Sequence, residues 1–304
     1  MSQPNFGEHA ARRPLPKDAF ALIGGYGSSN IIQDSAHYLT RLGPSVTPFG
    51  PSAALYRVRI KDAHFLFLPR HGDSDAETAA PWINYRANVY ALKAAGVERI
   101  IAWSGASAIN LSLSVGGYIL PHDLVDDTRG RESSFFKGKA LGELRQFPVF
   151  CDEMRAVVET TLHRLNLDHV SQGTYACTQG PRRETPAEVK RLRSWGADIT
   201  GMTLAPEVFL ARELEICYVP LCFITGYGEG IKRRQEALRV GLEGALVEAE
   251  RKALDSAVDQ MLTIAAYVSR AVADHRTCLC ASAMDDYRKK KLIEEDWRTW
   301  VGRP

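Results

Sequence analysis

Five short apolar runs, each closing on glycine, serine or threonine, constrain this 304-residue chain most. They are "AFALIGGYG" (19–27), "HFLFLPRHG" (64–72), "RIIAWSGAS" (99–107), "ADITGMT" (197–203) and "CYVPLCFITGYG" (217–228). Apolar runs of this length without polar alternation suit strands covered on both faces. Helical periodicity lies between them. "NYRANVYALKAAG" (84–96) places Ala87, Tyr90, Ala91 and Ala94 at helical spacing and stops at Gly96, where glycine suits the left-handed residue that ends a helix. "DEMRAVVETTLHRLN" (152–166) and "TPAEVKRLRSWG" (185–196) read likewise, the second opened by Thr185 with Glu188 three residues on, a capping box. Strands alternating with helices predict a single α/β domain with a mostly parallel or mixed sheet flanked by helices. In such sheets ligands bind in the loops where strands end, so the polar residues that close these runs are the candidates for chemistry.

Residues 1–18 are polar and Pro-containing and read as a flexible N-terminal segment, 19–276 as the α/β domain, and 277–304 as a tail or docking helix rich in charge with Trp297 and Trp300. From Gly230 to Arg276 the pattern turns helical, with Leu238, Leu242, Ala245, Leu246, Leu254, Val258, Met261 and Val268 among its apolar stripe. It predicts one long helix, or two broken near Lys252 to Asp255. A formal net charge of +2 from interspersed charges argues against nucleic acid as a partner. No run approaches the roughly 18 apolar residues of a membrane span, and no signal-like segment opens the chain, so a cytoplasmic protein is expected. Six scattered cysteines fit reduced core thiols better than a disulfide framework. Only Cys278 and Cys280, in "TCLCAS", look unusual; a metal is not expected there, because zinc needs a second ligand pair and none is spaced for it.

The loop "IGGYGSSN" (23–30) follows a strand and opens a helical segment, so its amides and hydroxyls could cradle an oxyanion. Gly25, Gly27 and Ser28 break the dinucleotide fingerprint, and a tight turn without ligand stays open as a reading. At the end of "FLFLPRHG", Arg70 is a permanent cation whose planar fork suits phosphate, and His71 beside it offers a second donor. A surface Arg paired with a carboxylate is the plain alternative. Ser104, in "AWSGAS", and Thr203, in "GMT", add hydroxyls at two further strand ends. Together these groups describe a pocket for one tetrahedral oxyanion.

The blocks "IGGYG", "FLPRHG", "INYRANVYALKAAGVERIIAWSGAS", "GTYACTQGPRRETPAEVKRLRSWGADITGMTLAPEVFLARELEICYVPL" and "FITGYG" resemble, in order and spacing, the nucleoside phosphorylases, most closely the methylthioadenosine phosphorylases. The resemblance spans about residues 19–228. It implies a mixed, partly barrel-like sheet, a homotrimer or dimer of trimers, and cleavage of 5'-methylthioadenosine by inorganic phosphate as co-substrate without any cofactor. The products would be adenine and 5-methylthioribose 1-phosphate. It further implies a phosphate site of Gly25, Tyr26, Arg70, His71, Ser104, Gly105 and Thr203, with Arg70, His71, Ser104 and Thr203 catalytic. Ribose and base would be held by Gly201, Met202, Gln179, Arg183, Thr225, Gly226 and Gly228.

The resemblance breaks on the base side. Two carboxylates of the family's "TDYD" are Gly226 and Gly228 here, an acid is replaced by Gln179, an aromatic by Arg183, and the first-loop threonine by Tyr26. Glu229 is the nearest substitute acid in sequence. Losing a general acid typically costs on the order of 100-fold to 10,000-fold in rate. A weakly active or inactive member of the fold, binding a planar aromatic in an enlarged base pocket against Tyr26, Tyr227 or Trp103, is therefore the alternative. Hydrolysis is disfavoured by the retained Arg70 and His71.

Overall fold

The computed structural model describes residues 19–25, 28, 39–73, 78–139, 141–232, 246–272 and 275–301. Within them, strands β1 (Phe20–Gly24), β2 (Leu39–Thr47), β3 (Gly50–Ile60), β4 (Ala63–Pro69), β5 (Arg99–Ala108), β6 (Tyr118–Ile119), β7 (Asp123–Asp127), β8 (His169–Val170), β9 (Thr174–Thr178), β10 (Ile199–Gly201) and β11 (Cys217–Tyr227) form one mixed sheet. Its main path runs β2-β3-β4-β1-β5-β10-β9-β7, and β11 leaves it by pairing with β5 and β6. Strand β5 is the branch point: β1 and β11 pair with it in parallel and β10 antiparallel.

The five apolar runs became β1, β4, β5, β10 and β11, and every residue of β1 is buried. Strands β2, β3, β6, β7, β8 and β9 are additions to that expectation. Leu39–Thr47 alternates exposed and partly buried residues and carries Pro44 and a left-handed Gly43, features of an edge strand whose second side meets solvent. Continuous apolarity, the signal that revealed the inner strands, is absent from an edge.

Helices cover both faces. On one, α1 (Tyr85–Ala94), α4 (Leu204–Glu213) and the arm 277–301 pack into a core containing Val89, Leu92, Leu210, Met284 and Trp300. On the other, α2 (Asp152–Arg164), α5 (Glu248–Asp259) and α6 (Met261–Ala271) bury Met154, Leu162, Met261 and Ile264 against Phe20, Phe65 and Phe67. The short helices α3 (Pro186–Ser194) and α7 (Asp285–Lys289) complete the set. The capping box on α3 is present: Thr185 Oγ1 accepts from Glu188 N at 3.3 Å, and Glu188 accepts from Thr185 N at 2.7 Å.

The helical segment before Arg276 breaks at Gln260 instead of near Lys252 to Asp255. Lys252 and Asp255 lie on the solvated face of α5, so their charge marks exposure and not a break. Leu238, Leu242 and Ala245 fall outside the described residues, as do 1–18. No helix among the described residues is long and apolar enough to cross a membrane.

Candidate active site

Pro69 ends β4 opposite Gly24 at the end of β1, and lacking an N–H it cannot extend the ladder. Arg70 N donates to Gly24 O at 3.1 Å, and Gly72 N returns to Pro69 O at 2.9 Å. Gly72 has φ +100° with nothing within 4 Å of where a Cβ would stand, so conformation and not space explains glycine there. The strand thus delivers Arg70 and His71 beside the end of β1 and, at Trp103, the middle of β5, then turns away.

The Arg70 guanidinium is fully buried. Its Nη2 donates to Trp103 O at 3.3 Å and lies 3.4 Å from Glu207 Oε2, whose carboxylate is equally buried. Glu207 Oε2 also accepts from the Tyr218 hydroxyl at 2.7 Å. Arg70 Nε and Nη1 and Glu207 Oε1 have no hydrogen-bond partner among the described residues. Burial pulls the guanidinium down, but the Glu207 charge together with Tyr218, Tyr85 and Tyr175 outweighs it, and Arg70 is held above its ordinary value. Burial pushes the Glu207 carboxyl up, and Arg70 and Tyr218 offset that only in part. The two shifts do not describe a neutralised ion pair. The guanidinium, which does not deprotonate in proteins, remains the fixed charge.

Trp103 O, bonded to Arg70, belongs to the residue before Ser104. Ser104 Oγ and Thr203 Oγ1 are 3.3 Å apart and buried. The Gly25 backbone packs on the same point: a Cβ there would stand 3.0 Å from Trp103 O. Gly25, Arg70 and Thr203, just past the ends of β1, β4 and β10, therefore converge on Ser104. Ser104 lies inside β5 and not at a strand end as expected from sequence, because β5 runs on to Ala108 paired with β11. His71 Nδ1 sits 2.7 Å from Thr78 O; a carbonyl only accepts, so Nδ1 carries the proton and the ring is oriented. Tyr26 lies outside the described residues.

Gly105 links this cluster to the base side. A Cβ at Gly105 would meet Thr225 Cγ2 at 2.8 Å, so the Thr225 side chain packs directly on the Gly105 backbone. Gly201 leaves space for the buried Tyr175 hydroxyl, and Gly180, at φ +64°, packs on Met202. Gln179 Oε1 accepts from Arg129 N at 2.9 Å. Arg183 is exposed, and Glu229 is exposed as well. Gly226 is buried opposite Ser107 after a bulge in β11. Gly228 leaves no vacancy where an acid stands in the resembled family, because a Cβ there would lie 3.2 Å from Val189 Cγ1. The enlarged pocket expected from two glycines is thus filled at position 228 by α3. Trp103 stacks on Phe223 (5.0 Å, 29°) in the core, and the Tyr227 hydroxyl donates to Leu113 O at 3.1 Å.

Two residues here were not singled out from sequence. Arg131 donates to the carbonyls of Met202 (2.7 Å), Ala205 (2.7 Å), Gln179 (2.7 Å) and Thr178 (3.2 Å), clamping both loops that carry the ribose and base candidates. It sits in "TRGRESS", an irregular stretch without periodicity. Glu184 accepts from Thr178 Oγ1 and, at 3.2 Å, from Thr200 Oγ1, which places a half-buried carboxylate beside the Gly201–Met202 turn. Its position just ahead of the Thr185 cap was the available signal.

A cavity of about 360 Å³ is lined by Arg70, His71, Asp73, Trp82, Asn84 and Asn88, among others. Ser104 and Thr203 are not in its lining; they join Arg70 through the Trp103 backbone. The metal-capable clusters among the described residues, Cys151/Cys217/Cys278/Cys280 and Glu159/His163/His169, include no residue of this site.

Comparisons with known proteins bear on the family and the fold. A protein named as a probable S-methyl-5'-thioinosine phosphorylase from Thermodesulfovibrio yellowstonii is 31% identical over 78% of this chain and 87% of its own. The S-methyl-5'-thioadenosine phosphorylase of Thermofilum pendens is 33% identical over 79% of this chain and 88% of its own. A crystal structure of a methylthioadenosine phosphorylase from an antarctic soil metagenomic library has the same fold, with TM-score 0.78, 24% identity and coverage of 93% of this chain and 97% of that one. With the sequence profile of the phosphorylase superfamily matching residues 21–266, the chain belongs to that superfamily.

Proposed function

We propose that this chain cleaves the glycosidic bond of 5'-methylthioadenosine or a related purine nucleoside with inorganic phosphate, releasing free base and (methylthio)ribose 1-phosphate. The observation that carries the reading is the buried Arg70 fork with two nitrogens unpartnered among the described residues, beside the Ser104–Thr203 hydroxyl pair. A buried cation with unsatisfied donors is costly unless an anion completes it. Glu207 already faces one nitrogen of the fork, and phosphate would supply the acceptors that Nε and Nη1 lack.

In the reaction a phosphate oxygen bonds to the anomeric carbon as the bond to the base nitrogen breaks, its electron pair leaving with the base, which takes up one proton. Charge on the sugar grows positive in the transition state, and a dianion held by Arg70, His71, Ser104, Thr203 and the backbone at Gly25 and Gly105 stabilises it. Met202 and Gly201 take the ribose side, with Gln179, Thr225, Gly226 and Gly228 toward the base. Arg183 stands at the rim. Glu184 is the carboxylate we assign to the base, in place of the acids absent at 226 and 228. Trp82, 68% exposed at the cavity edge, supports a homotrimer or dimer of trimers in which a neighbour closes that wall. We place the enzyme in the cytoplasm.

The relatives' names divide between thioinosine and thioadenosine, so the test uses both. Free base is measured by chromatography with and without phosphate, on methylthioadenosine, methylthioinosine, adenosine, inosine and guanosine. Phosphate-dependent release from one or more is expected, weakened in Glu184→Gln. No release from any of the five would overturn the reading, and light scattering tests the trimer.

A further inference from the structure

Cys151, Cys217, Cys278 and Cys280 come from three separate stretches: the residue before α2, the first residue of β11, and the C-terminal arm. Their four Sγ atoms all lie within 4.8 Å of one another, and Cys217 and Cys278 approach to 3.3 Å. All four are free thiols, two buried and two half-buried. Backbone contacts hold them there. Cys151 N donates to Tyr218 O and Cys217 N to Glu98 O, both at 2.9 Å. Glu153 grips the arm, accepting from Thr277 N and Thr277 Oγ1 at 2.7 Å and from Cys278 N at 3.0 Å.

Four thiols converging in this way do little as packing groups, since a thiol is a weak donor and a weak acceptor. As thiolates they match a soft cation. Zinc–sulfur bonds of about 2.3 Å at tetrahedral angles put the sulfurs roughly 3.8 Å apart, so the cluster needs only small side-chain adjustments to close on one ion. Arg212 lines the small cavity beside Cys151 and Cys280, and its Nε is buried with no hydrogen-bond partner among the described residues. A cation there suits the net charge of two minus on a zinc tetrathiolate.

We propose that Cys151, Cys217, Cys278 and Cys280 bind one Zn²⁺ as a closed structural site. Binding converts four thiols to thiolates, releases four protons and makes four Zn–S bonds, with no redox change. Four protein ligands leave no open position, so the ion pins and does not catalyse. It ties the arm that buries Met284 and Trp300 to the first residue of β11, the strand whose far end carries Thr225 to Gly228.

The test is metal analysis of untagged protein purified under reducing conditions. About one zinc per chain is expected, released when an organomercurial blocks the thiols, and below about a tenth per chain in Cys280→Ser. Cys222→Ser, at a buried cysteine outside the cluster, keeps its zinc. Hydrogen exchange over 277–301 rises on zinc removal. Should Cys280→Ser fail to fold, cobalt exchanged into the wild-type chain decides, since four thiolates give intense sulfur-to-cobalt charge-transfer bands and a tetrahedral ligand-field spectrum. Zinc-free protein that takes up no cobalt, iron in place of zinc, or disulfides among these cysteines in the isolated protein would each overturn the assignment.

Discussion

Arg70 Nη2 stands 3.4 Å from Glu207 Oε2, with both side chains fully buried. The pair spends one nitrogen of the fork on a carboxylate and leaves Nε and Nη1 without partners among the described residues. Arg70→Ala is therefore expected to lower kcat/KM by roughly 100-fold to 1,000-fold, as when one oxyanion donor is removed. Glu207→Gln leaves the cation buried and uncompensated, lowering stability by roughly 3–5 kcal/mol. Phosphate at about 100 times its Kd should raise the stability of the variant itself by about 2.7 kcal/mol. Denaturant melts with and without phosphate check it, and wild-type and Glu207→Gln chains both left unshifted by phosphate would argue against an anion at Arg70.

Arg131 reaches four carbonyls on two loops, those of Thr178, Gln179, Met202 and Ala205. A planar fork can satisfy that set where a lysine cannot. Arg131→Lys should therefore lose about 100-fold in kcat, the scale of a misplaced substrate, with little change in the KM for phosphate. Steady-state kinetics varying each substrate separately measure the split.

Gly201 and Tyr175 share one space. A Cβ at 201 would overlap the Tyr175 hydroxyl oxygen and stand 2.8 Å from ring carbon Cζ. Gly201→Ala should destabilise by about 1–3 kcal/mol through overpacking, and adding Tyr175→Phe should recover part of it. A double-mutant cycle by urea unfolding reads the coupling; strictly additive effects would show that the clash is absent.

Glu213 accepts from Phe135 N at 2.7 Å, and burial pushes its carboxyl from 4.5 up to about 7. The folded state holds this proton more tightly than the unfolded chain. The group's contribution is fully present below the unfolded value of 4.5 and is lost as pH rises through about 7. The difference amounts to roughly 3 kcal/mol at most. Glu213→Gln should flatten that decline, so the variant gains on the wild type between about pH 5 and about pH 8.5 in urea midpoints.

Much of the architecture was legible from residues alone. Most inner strands announce themselves because both faces must be apolar, whereas the five-residue β9, which begins and ends on threonine, did not. Helix α3 shows because Thr185 and Glu188 cap it through contacts three residues apart. Arg70 and His71 were legible as the polar residues at which a buried strand gives way to a loop, because an apolar run that stops on a charge and an imidazole has left the core; whether the cation meets a ligand or a carboxylate was left open by the sequence. The edge pair β2–β3 was not, since one solvated side erases the continuous signal. Nor was Arg131, whose partners lie from 47 to 74 residues away in the chain.

The chain's own pattern determined most inner strands, the flanking helices and the delivery of Arg70 and Thr203 to strand ends, because periodicity and capping act within a few residues; Ser104 instead lies inside β5. Tertiary packing alone decided that Glu207 faces Arg70, that Val189 fills the space beside Gly228, and that Cys151 and Cys217 meet Cys278 and Cys280. Those contacts join segments far apart in sequence, and no local spacing encodes a distance that only the folded sheet creates.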